Sequence, residues 1–217
     1  MFRIHSLSAV AALAVGLCYA APAPAQTIIS EWSSVKAPSA PELKPVTLDA
    51  KTTAVLVMDL VKQTCNNERR PRCVASIPKI EKLIAAARAQ GAMLIFTTVP
   101  PVPIADTLPA VAPKANDTVV VAFVDKFTLG DKDTGLGNML KDKGIANVVA
   151  VGTAVHGAVL FTASEAALRG YNVIVPVDGM SGDGQVAYDE QAVAYILTHA
   201  PIVSPKITLT SIDMIKF

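Results

Sequence analysis

Three places in the 217-residue chain put chemistry-bearing side chains where apolar strands stop. The run Thr53 to Met58, TAVLVM, ends at Asp59, which sets a carboxylate at the carboxyl end of a central strand. Thr118 to Phe123 reads as another strand, with Asp125 and Lys126 just past its end. Val148 to Val151 runs into Gly152 and the turn Thr153-Ala154-Val155-His156-Gly157-Ala158, before a helix that reaches Arg169. In open α/β sheets ligands sit beyond the carboxyl ends of the strands, so these segments are expected to share a pocket with the turn as its floor. A carboxyl group and an amine held together can pass a proton to and from a substrate. Each also has a plainer reading: Asp59 as a turn cap, Lys126 as a solvated loop lysine, His156 as a helix cap.

Cys65 and Cys73 frame the polar loop CNNERRPRC. In an oxidising compartment such a pair forms a local disulfide; the competing reading is two free thiols, one of them catalytic. No Cys-x-x-Cys or His-x-x-x-His spacing occurs, so no structural zinc site is implied, and no Gly-rich phosphate cradle points to a cofactor. Val99, Val155 and Phe127 are apolar side chains suited to a pocket wall or equally to the core.

The elements that must position these groups alternate. Ile77, Ile80, Leu83, Ile84 and Ala87 trace one face of a helix that stops at Gly91, and Ala92 to Thr97 follows as a strand. A proline-rich loop over residues 99–117 reads as a rim or lid. Gly135 to Lys143 and Glu190 to Leu197 are short helices, Asn172 to Val177 is a buried strand, and Val203 to Ile212 is a final extended segment. Strand–helix alternation throughout implies an α/β fold with a mostly parallel sheet covered on both faces.

At the other end of the chain, Arg3, the apolar run from Leu7 to Ala21 and Ala23-Pro24-Ala25 have the form of a cleavable signal peptide over residues 1–25. The alternative is an uncleaved anchor. Cleavage predicts a periplasmic or secreted protein, with no membrane association afterwards. An extended Pro- and Ser-rich arm is expected over residues 26–51 and one domain over 52–217. Past the signal 18 basic and 18 acidic residues remain, a balance that does not suggest nucleic acid as a partner.

The three strand ends, together with the helix sequence TASEAALRGYNV, resemble the isochorismatase-like hydrolase superfamily, which includes cysteine amidases such as nicotinamidase. Glu165 stands where the family pattern has Asp. The resemblance implies a three-layer α/β/α fold with six strands in the order 3-2-1-4-5-6, a small-molecule substrate, no cofactor, no metal, and a homo-oligomer. In the amidase branch an Asp, a Lys and a Cys form the catalytic set, and the cysteine position falls on Ala158, whose methyl cannot attack a carbonyl. The isochorismatase branch carries a small residue there and a histidine in the turn, matched by His156, and cleaves a vinyl ether by protonation and addition of water. By resemblance Asp59 is the acid and Lys126 orients it or holds an anionic group. The Thr153–Ala154 peptide is then cis, with the Ala154 and Ala158 N–H groups facing the pocket. The chain departs from the family at Val61 and Val99, where glutamines are frequent, and Arg69, Arg70 and Arg72 are the arginines able to reach over the site. Two other readings remain: a binding protein that has lost turnover, and a cysteine amidase using Cys65 or Cys73.

Overall fold

The computed structural model describes residues 27–184 and 186–217, so the expected signal peptide lies outside the described residues. The chain divides into two units, residues 1–36 and 37–217. In the first, helix α1 (Ile28–Glu31) is followed by a single 3₁₀ turn, Trp32–Ser34.

The second unit is built on a parallel sheet of β2 (Thr53–Met58), β3 (Met93–Thr98), β4 (Thr118–Val121), β7 (Asn147–Thr153), β8 (Asn172–Pro176) and β10 (Ile207–Thr210). Their spatial order is β10-β8-β7-β2-β3-β4, which in chain order is the expected 3-2-1-4-5-6. A seventh, two-residue strand, β9 (Met180–Ser181), pairs with the end of β7. The β-branched runs form the central strands because they are buried on both faces, where alternation of polar and apolar residues has no use. In β2, Ala54, Leu56 and Met58 enter one core while Val55 and Val57 enter the other.

Helix α2 (Pro71–Ala89) covers the second of these cores through Ile77, Ile80, Leu83 and Ile84. Helices α3 (Leu136–Asp142), α4 (Leu160–Leu168) and α5 (Tyr188–His199) cover the first, through Leu136, Leu140, Ala163, Ala166 and Leu197. The result is three layers. A small hairpin, β5 (Thr128–Leu129) with β6 (Lys132–Asp133), precedes α3. Outside the main sheet, β1 (Val46–Thr47) pairs in parallel with β11 (Ile215–Lys216), joining the segment before β2 to the C-terminus.

Several expectations shift in detail. The third strand stops at Val121, and residues 122–127 leave the sheet to carry Lys126 inward. The helix after β7 does not begin at the turn. A wide π-type turn, Val155–Val159, intervenes, with the Val159 N–H reaching back to Ala154 O at 3.3 Å. Ser204–Lys206 is a 3₁₀ turn before β10, so only part of the last segment is extended.

Candidate active site

Asp59 is the first residue beyond β2 and takes a left-handed backbone, φ +55°, which turns its side chain under the sheet end. Such a conformation costs an ordinary side chain on the order of 1–2 kcal/mol, and Asp tolerates it better than most. Three hydrogen bonds from two neighbours hold it: its N–H donates to Thr97 O, the Thr97 hydroxyl donates to Oδ1 at 2.6 Å, and the Thr64 hydroxyl donates to Asp59 O. Gly152 at the end of β7 makes the close packing possible. A Cβ there would lie 2.1 Å from Met58 O, so only glycine lets β7 pass against the residue preceding Asp59.

Lys126 is fully buried, an arrangement rare for lysine without a partner. Its ammonium lies 2.6 Å from Asp59 Oδ2 and donates to Phe123 O at 2.8 Å. Its backbone is clamped from two sides: the N–H donates to Thr162 Oγ1 on α4, and the carbonyl accepts from the Thr134 hydroxyl. Burial pushes the Asp59 carboxyl up from its ordinary range, against the opposing pull of the Lys126 charge. Burial likewise lowers the Lys126 ammonium, against the pull of Asp59. Burial thus works against the charged form of both partners, while their mutual contact works in favour of it.

A cavity of about 450 Å³ opens at Asp59, with Lys126 fully buried behind it. Asp59, Thr153, Ala154, Gly157 and Ala158 line it together with an apolar group, Val99, Phe123, Val124 and Phe161, and with Arg69, Arg70 and the more exposed His156. The Thr153–Ala154 peptide is cis, and the Thr153 hydroxyl donates to Ser181 O at 3.0 Å. His156 is half exposed at the rim, its Nδ1 3.1 Å from Asp189 Oδ2.

Of the candidates read from the sequence, Asp59, Lys126, Thr153, Ala154, His156, Ala158 and Val99 converge here. Val155 and Phe127 do not line the cavity. Both are fully buried in the core, because the π-type turn rotates Val155 inward and the chain bend at Lys126 seats Phe127 beneath Arg169, whose guanidinium lies 4.6 Å from the ring centre. Cys65 and Cys73 are bonded to each other and buried, Cys73 in the first turn of α2 and Cys65 ahead of it, and neither lines the cavity. Arg72 turns away to Glu190, at 2.7 Å. The positioning roles of Thr97, Thr134 and Thr162 were not legible in the sequence. Thr162 reads there as a helix hydroxyl bonded to its own backbone, whereas it accepts from Lys126.

A second cavity of about 570 Å³ lies between residues 40–43, α2 and α5. Its charged groups are paired with one another, Arg72 with Glu190 and Lys79 with Asp178, and neither pair is buried as deeply as Asp59 and Lys126. Among the described residues no group of three His, Cys, Asp or Glu side chains is placed to hold a metal ion.

Comparison with known proteins bears on the fold and the family. No curated protein gives a significant match. Among solved structures, an isochorismatase family protein from Burkholderia thailandensis superposes with a TM-score of 0.64 at 23% identity, covering 79% of this chain and 97% of that one. A cysteine hydrolase from Pseudomonas syringae pv. phaseolicola gives 0.64 at 20% identity, covering 81% and 95%. N-carbamoylsarcosine amidase from Thermoplasma acidophilum gives 0.60 at 20% identity, covering 75% and 97%. At these identities the likeness speaks for the architecture alone. The family model described as Isochorismatase domain matches residues 53–203, which takes in β2, β4 and β7 with their three strand ends, and the chain belongs to the isochorismatase family.

Proposed function

We propose that this isochorismatase-like hydrolase works without a cysteine nucleophile, using Asp59 and Lys126 to move protons on a small substrate, and that it is exported. The observation that carries the reading is the buried 2.6 Å contact between Lys126 Nζ and Asp59 Oδ2 at a cavity where Ala158 offers only a methyl group. The threonine hydroxyls that line the cavity are committed elsewhere, Thr64 to Asp59 O and Thr153 to Ser181 O. With both cysteines in a disulfide, an amidase route through Cys65 or Cys73 has no thiolate to start from. The same disulfide supports export to an oxidising compartment.

Acid-driven cleavage of a vinyl ether suits this machinery. Asp59 in its protonated form donates to the terminal enol carbon, and the carbon bonded to the ether oxygen becomes an oxocarbenium centre. Water adds to that carbon and gives up a proton to the Asp59–Lys126 pair, restoring the acid. The hemiketal then expels the alcohol, leaving a carbonyl product. No covalent enzyme intermediate forms, so no nucleophilic side chain is needed. The raised carboxyl of Asp59 keeps a larger protonated fraction near neutrality than an exposed aspartate would.

A panel of vinyl ethers, esters and amides assayed with the wild type and Asp59→Asn tests this. The expected result is vinyl-ether turnover that falls at least about a hundredfold in the variant, the usual scale of a lost general acid. Undiminished turnover in Asp59→Asn would remove the assigned acid. The second reading, a binding protein of the same fold, is favoured by the methyl of Ala158 and predicts no turnover in either protein but retention of a small ligand on purification.

A further inference from the structure

We propose that Arg70, assisted by Arg69, is the recognition point for a carboxylate on the substrate, and that Asp183 is an internal carboxylate which competes for that point and swings aside when the substrate enters. The inference rests on the reading of the Asp59 cavity as a ligand site, whether or not turnover follows.

Arg70 is 3% exposed and lines the cavity, and its charge acts on the Asp59 carboxylate. It is fixed in place. Its N–H donates to Asn66 O at 2.8 Å, Nη1 donates to Thr64 O at 2.9 Å, and the Cys65–Cys73 disulfide closes the loop that carries it. Its Nε lies 2.6 Å from Asp183 Oδ1, yet the contact lacks hydrogen-bond alignment, leaving both buried atoms without a bonded partner. Arg69 Nε lies 3.4 Å from the same oxygen. Two guanidinium groups thus converge on one carboxylate oxygen, but without the paired N–H···O geometry that an arginine fork gives a well-seated carboxylate. A buried donor left in that condition favours exchange for a partner that fits it.

Asp183 is built to yield. Its side chain is 43% exposed, against 3% for Arg70, and it stands between Gly182 and Gly184 on the connection from β9 to α5. Arg72 holds the backbone of that connection, donating to Gly184 O at 3.1 Å and Val186 O at 2.9 Å. The Asp183 carboxylate can therefore leave by rotation of its own side chain, with the chain beneath it staying put. Val99, Phe123, Val124 and Phe161 give the same cavity an apolar lining. A cationic point in an apolar lining selects a small carboxylate with an aromatic or alkyl body.

Isothermal titration of the mature protein with benzoate and its neutral counterpart benzamide tests this, using wild type, Asp183→Asn, Arg70→Gln and Arg70→Lys. Wild type is expected to favour benzoate by about tenfold or more. Asp183→Asn should tighten benzoate about tenfold and leave benzamide unchanged, since it removes the competitor and nothing else. Arg70→Gln should erase the preference, and Arg70→Lys, which keeps the charge but loses the fork, should fall between. The proposal is overturned if wild type binds neither probe or shows no preference, or if Asp183→Asn weakens benzoate or leaves it unchanged. Should Arg70→Gln fail to fold, the wild-type preference and the Asp183→Asn result decide it alone. Because catalysis plays no part in the measurement, an Asp59→Asn assay that fails the mechanism leaves this test intact.

Discussion

Asp59 and Lys126 are almost wholly withdrawn from water, and for each the loss of hydration acts against the charged form. The raised Asp59 group favours the folded state in acid, and that contribution is lost as pH rises through its folded pKa. The lowered Lys126 group contributes stability in strong base, lost as pH falls through its own folded pKa. Near neutrality the pair therefore carries a burial cost that their mutual contact offsets, together with the hydrogen bonds from Thr97 and to Phe123 O. Single substitutions, Asp59→Asn or Lys126→Met, leave a buried group without its partner and are expected to lose about 3–5 kcal/mol in urea unfolding, while the double variant is expected to be neutral or up to roughly 4 kcal/mol more stable than wild type. A double variant as unstable as the singles would show that the pair is there for the fold. In turnover the sign is set by the acid: kcat/KM should decline as pH rises through the Asp59 pKa, above the ordinary carboxylate range of about 4. Thr162→Val removes the hydroxyl that accepts from the Lys126 N–H, and should lower kcat with little change in KM and move that limb of the profile.

At the level of elements, the site is assembled where strands stop and backbones come close. Gly152 and Gly91 both have positive φ, but a methyl at Gly152 meets Met58 O at 2.1 Å while one at Gly91 meets nothing within 4 Å. Gly91→Ala should cost about 1 kcal/mol, the strain of the backbone alone. Gly152→Ala should cost more than about 4 kcal/mol or abolish soluble protein, because neither strand can move without tearing the sheet. Comparable melting temperatures for the two variants would contradict this account of how β7 reaches the Asp59 end of β2. The Cys65–Cys73 bridge closes the short loop leading into α2, where Pro71 takes the first helical position. The Cys65→Ser/Cys73→Ser protein should lose about 2–3 kcal/mol of stability in denaturant, the entropy of a loop of that size.

Over the whole molecule, the two cores are separated by one parallel sheet, and the pairing of β1 with β11 ties the approach to the first sheet strand to the end of the chain. Deleting residues 213–217 removes β11 and should lower Tm by roughly 2–8 °C for a loss of about 1–2 kcal/mol, read by calorimetry. The strand-end positions of Asp59 and Lys126 were legible in the sequence, because apolar runs such as TAVLVM and NVVAV can be satisfied only inside a sheet covered on both faces, whereas the order of the six main strands came only with the family resemblance. Where periodicity ends, so does that legibility. Val155 and Phe127 are one residue from cavity-lining or proton-carrying neighbours yet point into the core, since side-chain direction in the π-type turn and in the bend after β4 follows from local torsions that no repeat encodes. The same holds for Arg70, which composition marks only as one of three loop arginines, and for Thr162, whose oxygen serves a segment 36 residues earlier. The chain itself determined that an acid, an amine and a methyl would stand at strand ends. Their distances, the neutralising burial of the pair and the choice of Arg70 over Arg72 were decided only by packing, because these depend on contacts between segments remote in sequence.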